Sequence, residues 1–181
     1  MITKNNLLNI ELILQKIPQQ DNLQVADLGC GNFGFFVFPL AHLVGKKGKV
    51  YAVDIIKSAL DEISRRARLE NLNQIETIWS NLELFGATKI EAGQLDAALL
   101  INTLYQAKSS IDMLRESIRM IKPGGKLIVV EWAEEHPVGP AQEQHIKAAK
   151  LKAALSKMNL ELELEFNPGK FHYGLVFKKL T

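Results

Sequence analysis

Cysteine is nearly absent: Cys30 is the only one in 181 residues. A lone thiol excludes an intrachain disulfide and a multi-cysteine metal site. It suits a reducing compartment, and the expected location is cytoplasmic. Long apolar runs are missing too. The longest, from Phe33 to Val44, is interrupted by Gly34, Pro39 and His42. It falls well short of the roughly 20 residues that span a bilayer, so no membrane span is expected. The opening segment MITKNNLLNIELILQKI carries Glu11 among its apolar residues and no small-residue cleavage site. It does not read as a signal peptide. An excess of one charge is also lacking. With 22 basic and 20 acidic residues the formal net charge is +2, which leaves no strong electrostatic signal for nucleic acid. His136, His145 and His172 are scattered, with no pair at metal-ligand spacing on a helix, and no metal site is expected. Internal repeats, low-complexity tracts and linker-like runs are absent.

What remains is 47% hydrophobic and 23% charged, a mix that suits one globular domain over 1–181. Within it, 1–20 is expected to hold a first helix and 21–181 the core. Short β-rich apolar runs alternate with segments of helical period, the pattern of parallel βαβ units. Leu7, Ile10, Leu14 and Ile17 predict a helix over 3–17, stopped by Pro18. LQVADLG (23–29), KVYAVDI (49–55), QIETIWS (74–80), LDAALLI (95–101) and KLIVVEW (126–132) predict five strands. The fourth is almost wholly apolar, as a strand covered on both faces requires. Helices are expected through FFVFPLAHLV, over 57–70, around Ile111–Ile121, and over about 142–158. LELELEF (160–166) alternates strictly, which predicts one solvated face, and FHYGLVFKK (171–179) returns antiparallel to it. The expected fold is therefore α/β: a Rossmann-like seven-stranded sheet, five strands parallel and the last two a carboxyl-terminal antiparallel hairpin, flanked by helices.

Gly29-Cys30-Gly31-Asn32-Phe33-Gly34 is a GxGxxG placed directly after a strand and before a helix. Its glycines allow a tight turn and close approach of a ligand to the backbone. Asp54 ends the second strand about 20 residues past the last glycine, where an acid can accept both ribose hydroxyls of an adenosine ligand. Asp27 lies two residues before the first glycine. It would repel the pyrophosphate of a dinucleotide and attract a ligand bearing an ammonium or sulfonium.

VADLGCGNFG, YAVDI, LDAALLINTLY, MIKPGGKLIVVEW and HYGLVFKK resemble, in that order, the class I S-adenosylmethionine-dependent methyltransferases. The resemblance covers about residues 20–179 and points to the small type 11 group. That group includes the ubiquinone/menaquinone-biosynthesis C-methyltransferases and the arsenite methyltransferases. The arsenite branch needs several cysteines and is set aside. The resemblance implies S-adenosylmethionine as cofactor. Asp27, Gly29, Cys30 and Gly31 then hold its methionine part, and Phe33 walls the pocket. Asp54 takes the ribose, and Ile55 lies beside the adenine. Asn81, with Leu82 next to it, replaces an acid that bonds the adenine amino group in the family. Asn102 lines the methionyl and methyl end. Tyr105 and Gln106 stand where members often carry a pair of histidines, which removes histidine chemistry at that point.

Phe35, Phe36 and Phe38 read mainly as core packing, Arg65, Arg66 and Arg68 as a solvated helix face, and Cys30 also as a small buried loop residue. Any general base remains unassigned among Tyr105, Glu131 and His136. The loop 132–140 and the first helix are expected to cover the acceptor. The acceptor reads as an unidentified small molecule, and with no inserted cap its side stays open unless a partner subunit or homodimer closes it. Two alternatives stand beside this reading. One is a nicotinamide-dependent Rossmann oxidoreductase, against which Asp27, the terminal hairpin and the lack of a Tyr-x-x-x-Lys pair argue. The other is a non-catalytic member that binds cofactor or a partner subunit.

Overall fold

The structure is a computed structural model that describes residues 7–133 and 139–181. In chain order the elements are α1 (Ile10–Leu14), β1 (Gln24–Leu28), α2 (Val37–Val44), β2 (Lys49–Asp54), α3 (Lys57–Leu69), β3 (Ile75–Trp79), β4 (Leu95–Ile101), α4 (Ser110–Met120), β5 (Ile121–Trp132), α5 (Ala148–Ser156), β6 (Leu160–Gly169) and β7 (His172–Lys179). Short 3-10 turns occupy Leu104–Gln106 and Gln142–Gln144. One sheet runs in the order β3-β2-β1-β4-β5-β7-β6. Its first five strands are parallel, and β7 is antiparallel to both β5 and β6. This is the Rossmann-like arrangement expected from the alternating pattern.

The central strands β1 and β4 and the second half of β5 are apolar at nearly every position because both faces are covered. On one face Val25, Leu99, Val130 and Val176 pack with Ile13, Leu40 and Ile63 from α1, α2 and α3. On the other, Leu28, Val53, Leu100 and Phe177 pack with Leu114 and Leu155 from α4 and α5. Register aligns the carboxyl ends of the parallel strands: Asp27 pairs with Ala52 and Leu99, Asp54 with Trp79, and Ile101 with Val130. The chain reverses toward opposite sides at β1 and β4, the switch point at which open α/β sheets bind ligands.

Three elements depart from the sequence pattern. Of the helix expected over 3–17, the described part is helical only at Ile10–Leu14. Asn9 caps it, its side-chain oxygen accepting the Leu12 N–H at 3.0 Å, while its own N–H donates to Pro168 O at 2.7 Å. Local side-chain bonding of this kind ends a helix that periodicity alone would extend. The helix expected from 142 begins at Ala148 instead. His145 bonds the Pro140 carbonyl at 3.0 Å and the Tyr173 hydroxyl donates to Ile146 O at 2.7 Å, and the backbone is extended at His145 and Lys147, between the 3-10 turn and α5. In β6 the strict alternation does not produce one apolar face. The register slips between Leu162, opposite Phe177, and Leu164, opposite Val176. Phe177 and Val176 belong to opposite faces of the sheet. A bulge at Glu163 therefore sends Leu162 and Leu164 to different sides, and both stay partly exposed.

Candidate active site

The glycine loop leaves β1 in left-handed backbone: Gly29 has φ +84°, Gly31 +62° and Gly34 +58°. Their reasons differ. A Cβ at Gly29 would lie 2.5 Å from Thr103 Cγ2, and one at Gly34 would lie 2.5 Å from Ile63 Cδ1. A Cβ at Gly31 would meet nothing within 4 Å. Gly29 and Gly34 are thus glycine for packing, and Gly31 faces open space at the sheet edge. The N–H groups of Gly29 and Cys30 both donate to Val53 O, at 2.8 and 3.1 Å, tying the loop to β2. Cys30 is buried, and burial with Asp27 and Asp54 nearby pushes its thiol pKa up, so it is no thiolate nucleophile.

Asp27 is 3% exposed. Burial, and secondarily the charge of Asp54, pushes its carboxyl pKa up to about 7. Asp54 at the end of β2 accepts two backbone N–H groups, from Gly31 and Ile56, each at 2.9 Å. Ile55 projects into solvent beside it, and Trp79 Nε1 donates to Ile55 O at 2.8 Å. Asn81 Oδ1 accepts the Glu83 N–H at 3.0 Å, an Asx-type turn. Leu82 is buried with Leu28 and Val53.

Phe33 is 64% exposed and its ring lies 5.3 Å from that of Phe35, also exposed, whereas Phe36 and Phe38 are core. Only two of the four phenylalanines therefore pack inside. Arg66 is not merely a solvated charge. Its guanidinium covers the Phe38 ring at 3.8 Å and its Nη1 donates to Phe33 O at 3.4 Å.

Beyond β4, Asn102 sits at φ +54°, a conformation asparagine tolerates. Its Nδ2 lies 3.1 Å from His172 Nε2, and the His172 ring lies against Trp132, centroids 4.2 Å apart and planes tilted by 38°. Asn102 Oδ1 is buried with no hydrogen-bond partner among the described residues. Thr103 Oγ1 donates toward Leu28 O at 3.1 Å. Tyr105 is half-buried in the Leu104–Gln106 turn, and burial, then the charge of Glu131, raises its pKa. Glu131 is wholly buried: its Oε1 accepts the Leu104 N–H at 2.7 Å, and burial pushes its pKa up to about 7. Direct contact with an acceptor, considered from its position at the strand end, does not fit that burial. His136 lies outside the described residues.

The edge thus gathers Asp27, Gly29, Cys30, Gly31, Phe33, Asp54, Ile55, Asn81, Asn102, Tyr105 and Glu131 at the ends of five strands, with Leu82 packed below. Three contributors were not legible in the sequence. Thr103 and His172 act through long-range contacts. Glu116 on α4, also buried, accepts from Gly86 N at 2.7 Å, Thr88 N at 3.0 Å and Arg119 Nε at 2.8 Å. Arg119 in turn donates to Thr88 O and Ile90 O, so the pair clamps the loop after β3.

The methyltransferase domain family matches residues 19–175, most of the chain. This chain belongs to that family. Among relatives, the demethylmenaquinone methyltransferase of Lactococcus lactis subsp. lactis is 28% identical over 131 residues, 72% of this chain and 50% of that protein. The chain spans about half the length of the curated relatives it matches. A crystal structure of an S-adenosylmethionine-dependent methyltransferase from Aquifex aeolicus superposes with a TM-score of 0.84 at 21% identity, covering 95% of this chain and 90% of the other. A Sulfolobus solfataricus protein described as a type 11 methyltransferase gives 0.77 at 27% identity, covering 97% and 94%. The fold is that of the class I methyltransferases, and family and fold together imply use of S-adenosylmethionine. The residues present fit that group: an open backbone at Gly31, an acid at the end of each of the first two strands, and a buried Asn102 oxygen with unused acceptor capacity. No helix among the described residues is long and apolar enough to cross a membrane.

Proposed function

We propose that this chain transfers a methyl group from S-adenosylmethionine to a small-molecule acceptor. The observation that carries the reading is Gly31. Its backbone faces open space, held by Asp54, with the buried acid Asp27 behind it. A pyrophosphate would be repelled there and a cationic ligand attracted, which disfavours the nicotinamide alternative. When bound, the cofactor supplies a methyl group already activated on a sulfonium.

Asp27, Gly29, Cys30 and Gly31 would hold the methionine part, Asp54 the ribose, and Asn102 the methionyl end. Ile55, Phe33 and Asn81 would border the adenine, with Leu82 supporting them from the core. The chain's own task is to hold the acceptor in line and to exclude water, which supplies much of the rate. A base is required only where the acceptor loses a proton. Tyr105 is the better placed of the described candidates, because Glu131 is wholly buried; His136 remains a candidate by sequence. The name of the Lactococcus lactis relative supports a small-molecule acceptor.

We read 1–181 as one such domain, located in the cytoplasm, with a homodimer or partner subunit as the means of closing the acceptor side. Cell-extract fractions incubated with methyl-labelled S-adenosylmethionine and the purified chain test the function. Label transferred to a small molecule, and lost in Asp54→Ala, is expected. Cofactor binding without transfer to any fraction would favour the non-catalytic member instead.

A further inference from the structure

The inference rests on the reading of the glycine loop as the cofactor cradle. That loop is secured from the β2 side by two backbone bonds to Val53 O. From the β4 side it is secured through Thr103. The Thr103 side chain fills the space that a Cβ on Gly29 would occupy, and its hydroxyl bonds Leu28 O at the end of β1. The position of Thr103 is therefore the position of one wall of the loop.

Thr103 precedes Leu104, whose N–H is the one held by Glu131 Oε1 at 2.7 Å. Glu131 has no exposed surface, pairs with no basic side chain among the described residues, and leaves Oε2 without a hydrogen-bond partner there. A buried, unpaired carboxyl is costly, and an apolar residue of similar size would be cheaper for stability alone. Interiors are close-packed and transmit displacement rather than absorb it. The contacts run without a gap from β5 to the turn after β4 and from there to β1.

We propose that Glu131 is a positioning residue for the cofactor loop. By fixing the Leu104 N–H it seats Thr103 against Gly29 and so sets the backbone from Gly29 to Gly31 that receives the cofactor. It touches neither cofactor nor acceptor. Glutamine keeps an oxygen for Leu104, whereas leucine fills the space without one.

Calorimetric titration of the full chain with S-adenosylhomocysteine tests this in the wild type, Glu131→Gln, Glu131→Leu and Thr103→Val. Losing one buried hydrogen bond in the chain of contacts should weaken binding by about tenfold in Glu131→Leu and severalfold in Thr103→Val. Glu131→Gln should stay within about threefold of the wild type, since it retains the acceptor. The double variant Glu131→Leu/Thr103→Val should bind no more weakly than the weaker single variant, because both act on one path. A lowered melting temperature with unchanged affinity in folded Glu131→Leu would show a merely structural role and overturn the inference. If Glu131→Leu does not fold, Thr103→Val decides: wild-type affinity there overturns it equally. Absence of binding by the wild type would instead overturn the cradle reading, and this inference with it.

Discussion

The carboxylate of Asp54 accepts the backbone N–H of Gly31 at 2.9 Å, so the end of the second strand holds the tip of the loop that follows the first. Its other oxygen accepts the Ile56 N–H at the start of α3. One side chain thus organises both walls of the proposed ribose site. Asp54→Ala should lower stability by about 1–3 kcal/mol, the scale for losing hydrogen bonds to a charged group, and should weaken S-adenosylmethionine binding besides. Denaturant melts and calorimetry on the same preparation check both. Unchanged affinity in a folded variant would reduce Asp54 to a turn residue.

Gly29 and Gly31 should separate stability from binding. Gly29→Ala drives a methyl group into Thr103 and should destabilise the fold. Gly31→Val has open space before it and should cost only the left-handed strain of about 1–2 kcal/mol. Its side chain occupies the ligand's place, so cofactor binding should be abolished. The opposite assignment of the two effects would place the cradle elsewhere.

Acids buried without a counter-charge should make the ligand-free protein less stable as pH rises. Asp27, ordinarily at 3.8, and Glu131, ordinarily at 4.5, are both pushed up to about 7. The folded state therefore binds protons more tightly than the unfolded chain between those limits. Their contribution is fully present below about pH 4 and is lost as pH approaches 7. Glu116, held down to about 2 by Arg119 and the Gly86 and Thr88 amides against the cost of burial, acts in the other direction. Its contribution is present above its ordinary 4.5 and is lost as pH falls toward 2. Melting temperature followed from pH 4.5 to 8 should fall less steeply in Asp27→Asn than in the wild type. Parallel curves would mean that Asp27 is not the titrating group.

The Glu116–Arg119 pair should be the costliest polar contact to break from one side. Arg119→Ala leaves a buried carboxylate with two backbone donors and no counter-charge, a loss of about 3–5 kcal/mol. Replacing both residues by apolar ones should recover part of that. Denaturant melts of the single and double variants measure it, and additive losses would show that the two do not act as a pair.

The sheet and the loop were legible in the sequence because they rest on local order. A run of apolar residues, a GxGxxG and an acid at each of two strand ends are neighbours in the chain before they are neighbours in space. Thr103, Glu116 and His172 were not legible. The partner that makes each matter is Gly29, Gly86 or Asn102, residues 30 to 74 positions away. The LELELEF segment misled for the same reason: its alternation is local, whereas the bulge at Glu163 is imposed by pairing with β7. The shortened first helix and the late start of α5 likewise follow from bonds to Pro168, Pro140 and Tyr173.

Calorimetric titration of the wild-type chain near pH 8.5, above the value of about 7 around which Asp27 loses its proton, with S-adenosylmethionine, S-adenosylhomocysteine and NAD, each in turn, tests the central claim most directly. The account predicts binding of both adenosyl ligands in the micromolar range, at about −8 kcal/mol, and weaker or no binding of NAD, whose pyrophosphate Asp27 repels. NAD binding more tightly than either adenosyl ligand would contradict it.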